Sequence, residues 1–580
     1  MNLPRRWHSP QVPHPHAIPG FSPVSAGLLR WLARGIGAFS LVAFAGLALR
    51  EGIPASVLEE DWETPAQLAL LVIVTIGYAL AWRWEGLGSA VLIVGGVVLG
   101  VFASIAYEPD VALLGALAFV VPGLLFALHW QWHAGGFRLG GMLASVTLVL
   151  VAGGYASAQV YDHYAGPTHP ESAVELLPVD LVEWAWSGGV TANGFIVVAE
   201  LADEAAAASL SVAPESTFAN PVTVAGHLAG ETDRPAWRFD VTGLEPGQRY
   251  HYAVTIDGRR DAGRQGAVTT FPEGVASFTL AVGACIRTGS DGQVFDRIRE
   301  ADPLFMLVTG DFTYENLTSS DPDDFFDSYI ENLTSPAQES LYLEAPINYG
   351  WDDHDYGGDG ANALASSREA VREAYASYVP HYPLPDSDGA IYHAFTVGRV
   401  RFIVTDSRSE QLPETEPGGP TMLGAQQLEW LKAELLAAHD PYALTIWVNG
   451  VPWIAEPTPG ADHWGGFPAE REEIANFIAA NGLDRLAMIS GDAHMVAIDD
   501  GTNTNYATVP GKAGKSFPLL HAAALDRLGS IKGGPYSEGA IAGGGQFALM
   551  QVEDDGATIR VTWSARNWKG EELLHYEFTP

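Results

Sequence analysis

Apolar residues crowd the first part of the chain into five blocks, at about 27–49, 66–82, 86–106, 110–129 and 139–160. Each is close to the ~20 residues that an α-helix needs to cross the hydrocarbon core of a bilayer, 66–82 being the shortest. Trp82 and Trp84 follow the second block and Trp130 and Trp132 the fourth, where interfacial aromatics belong. The flanking charges alternate in sign. Arg5, Arg6, Arg30 and Arg34 stand at the head of the first block, Arg83 lies between the second and third, and Arg138 precedes the fifth. The other loops carry Glu59, Glu60, Asp61 and Glu63, then Glu108 and Asp110, then Asp162. By the positive-inside rule this predicts a cytoplasmic tail over 1–25, an all-α transmembrane region of about five helices over 26–160, and an extracytoplasmic remainder. Buried helices of a soluble protein would not produce such an alternation. The block interiors hold no Asp, Glu or Lys, so they read as an anchor or interaction module and not as a transport path.

After a Pro-containing linker at 161–176, short alternating strands take over, at 194–199, 237–241 and 250–254, separated by turn signals. That pattern predicts a β-sandwich over 177–273. The run Val241-Thr242-Gly243-Leu244-Glu245-Pro246-Gly247 leading into Tyr250-His251-Tyr252 resembles a fibronectin-type-III module. Over 274–580 the period changes again. Buried-strand runs at 277–283, 304–309, 345–350, 400–406, 443–449 and 485–490 alternate with amphipathic segments. One of these, 424–437, puts Leu428, Leu431 and Leu435 on one face; another opens at Ser366 with Glu369 completing a capping box. The alternation predicts a layered α/β domain, closed by antiparallel strands at 546–552, 558–564 and 574–579.

Charge narrows the chemistry. Asp plus Glu number 69 against 31 Lys plus Arg, a net charge of -38, which repels phosphate backbones and suits metal cations. Nucleic-acid binding is therefore not expected, beyond a phosphate ester serving as substrate. Cys285 is the single cysteine, so no intramolecular disulfide forms; a lone Cys is ordinarily a small buried hydrophobe.

The polar residues at the strand ends form a series. The first strand ends in Gly283-Ala284-Cys285, the second in Gly310-Asp311-Phe312-Thr313-Tyr314, and the third in Gly350-Trp351-Asp352-Asp353-His354-Asp355. The fifth ends in Asn449-Gly450 and the sixth in Gly491-Asp492-Ala493-His494. Each alone is weak, since an Asn after a strand is usually a turn cap and an acidic run a solvated turn. Together they place carboxylates and imidazoles at the edge where open α/β sheets hold their ligands.

With these motifs the chain resembles the calcineurin-like metallophosphoesterases, and among them the PhoD-like (alkaline phosphatase D) branch. The resemblance also takes in Thr405-Asp406-Ser407-Arg408, Met422-Leu423-Gly424 with Gln427 and Trp430-Leu431, and 532–539, and it spans about 180–580. Phe312, where Tyr is commoner, and Ile286, where a polar residue often follows the Cys, depart from the pattern. The resemblance implies an α-β-β-α sandwich and a binuclear centre. An anionic set of Cys285, Asp311 and Tyr314 with His494 suits Fe³⁺, and an oxygen set of Asp353, Asn449 and Asp492 sharing Asp311 suits Ca²⁺, with Zn²⁺ as the alternative divalent ion. His354 is the implied acid, with Asp352 or Asp355 tuning it, and Arg408 binds substrate or supports the sheet. The implied function is a membrane-embedded, multi-pass phosphodiesterase or alkaline phosphatase, hydrolysing small phosphate esters by metal-activated hydroxide attack. The alternative is a non-catalytic, metal-stabilised surface binding protein.

Overall fold

The computed structural model describes the chain except for residues 1–22, 52–62, 105–108, 134–138, 165–170, 204, 206, 231–233, 235, 386–388, 510–515, 523 and 528. It divides into two units, Met1–His163 and Tyr164–Pro580.

In the first unit each apolar block forms a helix: α1 (Pro23–Glu51), α2 (Glu63–Ala81), α3 (Glu85–Ala103), α4 (Pro109–His133) and α5 (Leu139–Tyr164). Among the described residues two stretches, Glu85–Ala103 and Ala112–Gln131, are long and apolar enough to cross a membrane, while Ala69–Ala81 and Val146–Val160 are shorter. Glu85 pairs with Arg30 at 2.7 Å and with His129 at 2.5 Å, which ties α1, α3 and α4 through one carboxylate. Arg5, Arg6, Glu59, Glu60, Asp61, Glu108 and Arg138, on which the charge alternation partly rests, lie outside the described residues.

The second unit opens with β1 (Val182–Thr191), β2 (Gly194–Leu201), β3 (Ser209–Ala213), β4 (Val222–Ala225), β5 (His227–Ala229), β6 (Ala236–Thr242), β7 (Arg249–Ile256), β8 (Arg259–Arg260) and β9 (Gly266–Thr269). β4-β3-β7-β8, with β9 on β7, form one sheet. The remaining strands of this region do not stand alone. After β10 (Phe278–Gly283) and β11 (Met306–Val308), β12 (Ile347–Tyr349) pairs parallel with β1, Gly188 opposite Ile347. The region expected as a fibronectin-III-like β-sandwich over 177–273 thus keeps one sheet to itself and shares the other with residues 274–580. The close approach happens at Gly188, where a Cβ would stand 2.5 Å from the Ile347 carbonyl oxygen and 2.7 Å from that of Pro380. β1 is buried along nearly its whole length, as a strand covered on both faces must be.

The rest of the unit is β13 (His393–Val397), β14 (Val400–Val404), β15 (Leu444–Asn449), β16 (Leu486–Ser490), β17 (Met495–Asp499), β18 (Leu519–Ala522), β19 (Gly539–Ala542), β20 (Gln546–Asp554), β21 (Ile559–Asn567) and β22 (Glu572–Phe578). Two sheets result, in the orders β22-β21-β20-β10-β11-β12-β1-β2-β6-β5 and β13-β14-β15-β16-β18-β17-β19. Strand alternation sorts their side chains. Ile446 and Val448 of β15 meet Leu280, Val282 and Leu307 in a core between the sheets. Trp447 points the other way, onto Leu431, Leu435, Ile474 and Ile478 of the helices Gly424–His439 and Pro468–Asn481. On the opposite side, Met306 and Val308 meet Phe295, Phe326 and Leu341 of Gln293–Glu300, Pro322–Leu333 and Pro336–Glu344. The layers therefore run helix, sheet, sheet, helix.

One local expectation differs. The helix Arg368–Tyr378 is capped by Ser367 without a side-chain cap bond, and Ser366 is not part of a capping box. Both hydroxyls are committed elsewhere, Ser366 donating to Thr318 O at 2.8 Å and Ser367 to Tyr356 O at 2.6 Å. Gly188→Ala should cost roughly 1–3 kcal/mol through overpacking against two carbonyls. Thermal unfolding of the full chain measures it, and an unchanged midpoint would show that β1 and β12 separate without penalty.

Candidate metal centre

β10, β11 and β12 run parallel in one sheet and β14, β15 and β16 parallel in the other, so the turns after them meet at one edge of the double layer. Bringing short polar side chains inward there strains the backbone. Cys285, Asp311 and Asp492 all adopt left-handed φ values of 56°, 53° and 73°, an outlier conformation that persists only where the surroundings enforce it. Gly310, at φ 138°, lies so close to Asp352 that a Cβ would stand 2.4 Å from the Asp352 Cβ.

The strand ends gather the predicted ligand types. Ligand atoms of Cys285, Asp311 and His494 lie within 4.8 Å of one another, as do those of Asp311, Asp353 and His354, and those of Asp352, Asp353 and Asp492. Asp311 belongs to two of these groups and Asp353 to two. The Cys285 thiol donates to Asp311 Oδ2 at 3.3 Å, and the Tyr314 hydroxyl is 3.2 Å from His494 Nε2. Asn449 is fully buried, its Oδ1 accepting from Trp464 Nε1 at 3.0 Å and its amide donating to Val451 O. That pair of bonds fixes the amide plane and leaves the carbonyl oxygen one lone pair.

His354 stacks on Tyr314, ring centroids 3.7 Å apart, and its Nδ1 bonds Asn316 Oδ1. Neither Asp352 nor Asp355 bonds it. Asp355 accepts from the Thr313 N–H at 2.8 Å, the Thr313 hydroxyl at 3.2 Å and the Asp352 N–H at 3.0 Å, so it pins two strand-end turns together. Asp352 is turned to Arg408 Nε. Arg408 itself is fully buried, donates through Nη1 to Asp462 at 2.7 and 2.8 Å, and holds Nη2 3.7 Å from Asp353. Three carboxylates surround the guanidinium and only Nη2 lacks a hydrogen bond, so of the two roles left open for Arg408 the geometry favours support.

Crowding sets the protonation. Burial, then Asp353, Asp352, Asp355 and Asp492, push the Asp311 carboxyl far above the usual range. Burial with Asp311 and Asp492 raises the Cys285 thiol, and burial with Asp311 and Cys285 raises the Tyr314 phenol. Burial lifts Asp355 to about 6, and burial with Asp353 and Asp462 lifts Asp492 to about 6 against the pull of Lys532, whose Nζ stands 2.9 Å away. Burial also disfavours charge on Asp353, yet Arg408, His354 and Lys532 hold it down to about 2. Burial lowers His354. Two carboxylate oxygens, Asp352 Oδ2 and Asp353 Oδ1, are buried without a hydrogen bond. Unpaired anionic oxygens beside a thiol, a phenol and imidazoles are a donor set that fits a pair of metal ions.

Three contributors went unassigned in the sequence. Lys532 stands in Lys-Gly-Gly-Pro, a legible signal without a stated role; Asn316 follows Tyr314 by two residues; Asp462 sits in a Gly-Ala-Asp turn that nothing distinguishes from other turns.

This double-layered mixed α/β fold is one that solved phosphatases share. A structure of PhoD aligns over 71% of this chain and 91% of its own, with a TM-score of 0.56 and 17% identity. The purple acid phosphatase PPD1 from yellow lupin (Lupinus luteus) seeds aligns over 68% and 73%, with a TM-score of 0.50 and 12% identity. Residues 280–517 match the PhoD-like phosphatase family, and residues 22–136 match a domain of unknown function (DUF7670). Alkaline phosphatase D of Bacillus subtilis (strain 168) is 23% identical over 337 residues, 49% of this chain; the match spans 57% of that relative's length. Together these findings give the second unit a phosphatase-like fold, with a stretch similar to PhoD-like phosphatases over residues 280–517.

Arg408→Met should destabilise the fold by about 3–5 kcal/mol by stranding buried carboxylates, read as a large drop in the thermal midpoint. A raised KM at unchanged stability would restore the substrate role. Cys285 and Asp311 must lose protons to ligate, so metal uptake should release protons and tighten as pH rises. Calorimetric titration in buffers of different ionisation enthalpy tests this, and a pH-independent affinity would contradict it.

Proposed function

We propose that this protein is a membrane-anchored hydrolase of phosphate esters, with a binuclear metal centre in an extracytoplasmic catalytic domain. The observation that carries the proposal is the sharing of Asp311 between two ligand groups, Cys285–Asp311–His494 and Asp311–Asp353–His354, inside the stretch that matches the PhoD-like phosphatases. Cys285, Asp311, Tyr314 and His494 would hold the harder-charged ion, read as Fe³⁺, and Asp311, Asp353, Asn449 and Asp492 the oxygen-bound one, read as Ca²⁺. The chemistry supplied by such a pair is Lewis-acid activation of water and of the phosphoryl group.

The chain's own residues do the rest. His354 is the proton donor to the leaving oxygen, held by its stack on Tyr314 and by Asn316, which takes Nδ1 and leaves Nε2 for the proton transfer. Asp353, held ionised, favours the protonated imidazole beside it. Arg408 and Lys532 hold Asp352 and Asp492 in place, and with His354 they favour the charged form of Asp353. The charge alternation of the N-terminal blocks supports five membrane spans and an outside catalytic domain, where calcium is plentiful.

A metal assay coupled to a panel of phosphomonoesters and phosphodiesters tests the proposal. Metal-loaded protein should turn over, and Asp311→Asn should lose more than about 100-fold, beyond the loss typical of an outer-shell partner. Metal uptake that raised thermal stability with no turnover of any ester would identify a non-catalytic binding protein.

A further inference from the structure

We infer that Arg527 is the residue that recognises a terminal phosphate, making the site favour phosphomonoesters over phosphodiesters. The inference rests on the proposed hydrolase reading and names the substrate class of that same site. Arg527 lies beyond the residues that match the PhoD-like family.

Arg527 belongs to a strap tied to the loops that carry the candidate ligands. The Leu525 N–H bonds Ala284 O at 3.0 Å, and the Asp526 N–H bonds Cys285 O at 3.3 Å. Further along, the Ser530 N–H bonds His494 O at 3.0 Å, the Ser530 hydroxyl accepts from the His494 N–H at 3.2 Å, and Lys532 reaches Asp492. Anchored at both ends, the strap lays the Arg527 guanidinium over the Tyr314 ring, its central carbon 3.9 Å from the ring centroid. His354 stacks on the same Tyr314.

Of the Arg and Lys side chains around this site three are ion-paired with carboxylates, although the Nη2 of the fully buried Arg408 makes no hydrogen bond. Arg408 is enclosed by Asp352, Asp353 and Asp462, Lys532 is bonded to Asp492, and Arg287 faces Asp526 at 3.5 Å. Arg527 makes no ion pair among the described residues, and its Nε is buried with no acceptor. A half-buried guanidinium with uncommitted donors beside a crowd of carboxylates calls for an anionic ligand. A guanidinium centred over a ring has N–H donors beyond that contact, and its planar fork matches two oxygens of one phosphate.

The preference follows from counting charged oxygens. A diester shares one negative charge between two non-bridging oxygens, and the metal pair of the proposed centre would take both. A monoester has a third, where the diester carries an uncharged ester oxygen. A donor next to the centre and not part of it gains on that third oxygen alone.

The test uses full-length, metal-loaded protein as wild type, Arg527→Gln and Arg527→Lys. An aryl phosphomonoester, its methyl diester and inorganic phosphate are the probes. Charge-assisted hydrogen bonds to phosphate make the expected loss for Arg527→Gln about 10–100-fold in monoester kcat/KM and in phosphate affinity by calorimetry. The diester should change by less than about threefold, and Arg527→Lys should recover part of the loss by restoring the charge. Metal content and thermal midpoint are measured alongside. Equal losses on both esters with lost metal would mean that Arg527 merely props Tyr314, and no loss on either would remove it from recognition; each overturns the inference. Should the wild type hydrolyse neither ester, the hydrolase reading falls. Phosphate calorimetry then decides the inference separately, since unweakened binding in Arg527→Gln overturns it and weakened binding upholds it.

Discussion

The structure turns on a problem of like charges. Asp311, Asp352, Asp353, Asp355 and Asp492 are all buried at the junction of two sheets, with Asp462 at their margin, and among the described residues Arg408 and Lys532 are the Arg and Lys side chains ion-paired with them. Burying an unpaired carboxylate costs several kcal/mol even after relaxation. Such a crowd persists because the surrounding chain dictates it: left-handed turns at Cys285, Asp311 and Asp492 aim the side chains inward, the backbone N–H groups of Thr313 and Asp352 bond Asp355, and that of Gly360 bonds Asp353. The imbalance that remains is the strongest physical reason to place metal cations there.

That constraint explains the architecture around it. Turns from two sheets must reach the same point, so each sheet needs parallel neighbours that end together, and the core between them must be rigid. Aromatic packing supplies the rigidity on the side of Asp311. Phe312 lies 5.4 Å from Trp186 and 5.3 Å from Tyr349, linking the turn after β11 to β1 and β12. Through β1, the N-terminal β region braces the edge that carries the candidate metal ligands. This gives the shared sheet a role that a separately tethered sandwich would lack.

Much of this was legible because the local signals agree with the global fold. Strands buried on both faces read as unbroken apolar runs, and those at 443–449 and 485–490 match the observed Leu444–Asn449 and Leu486–Ser490 within a residue. Where a side chain had two plausible tasks, the sequence could not choose. Ser366 has the spacing of a cap and bonds Thr318 instead; Asp355 stands next to His354 in the chain and faces Thr313 in space; Arg408 looked equally suited to substrate and to support. Helices at Gln293–Glu300, Pro322–Leu333 and Pro336–Glu344 were not singled out, their short polar-rich segments drawing their apolar face from contacts with β11.

The sequence by itself determined the apolar N-terminal blocks, the alternation of strands and helices beyond residue 274, and the identity of the side chains at the strand ends. Periodicity and residue type are local properties, and they survive in one dimension. Only the tertiary structure decided what the 350–355 run does with its charges: Asp353 joins Asp311 and Asp492, Asp352 bonds Arg408, Asp355 staples the turn after β11, and His354 rests on Tyr314 against Asn316. Four neighbouring residues take four different partners from distant parts of the chain. Partner choice depends on distance and burial, which exist only once the two sheets have closed on each other.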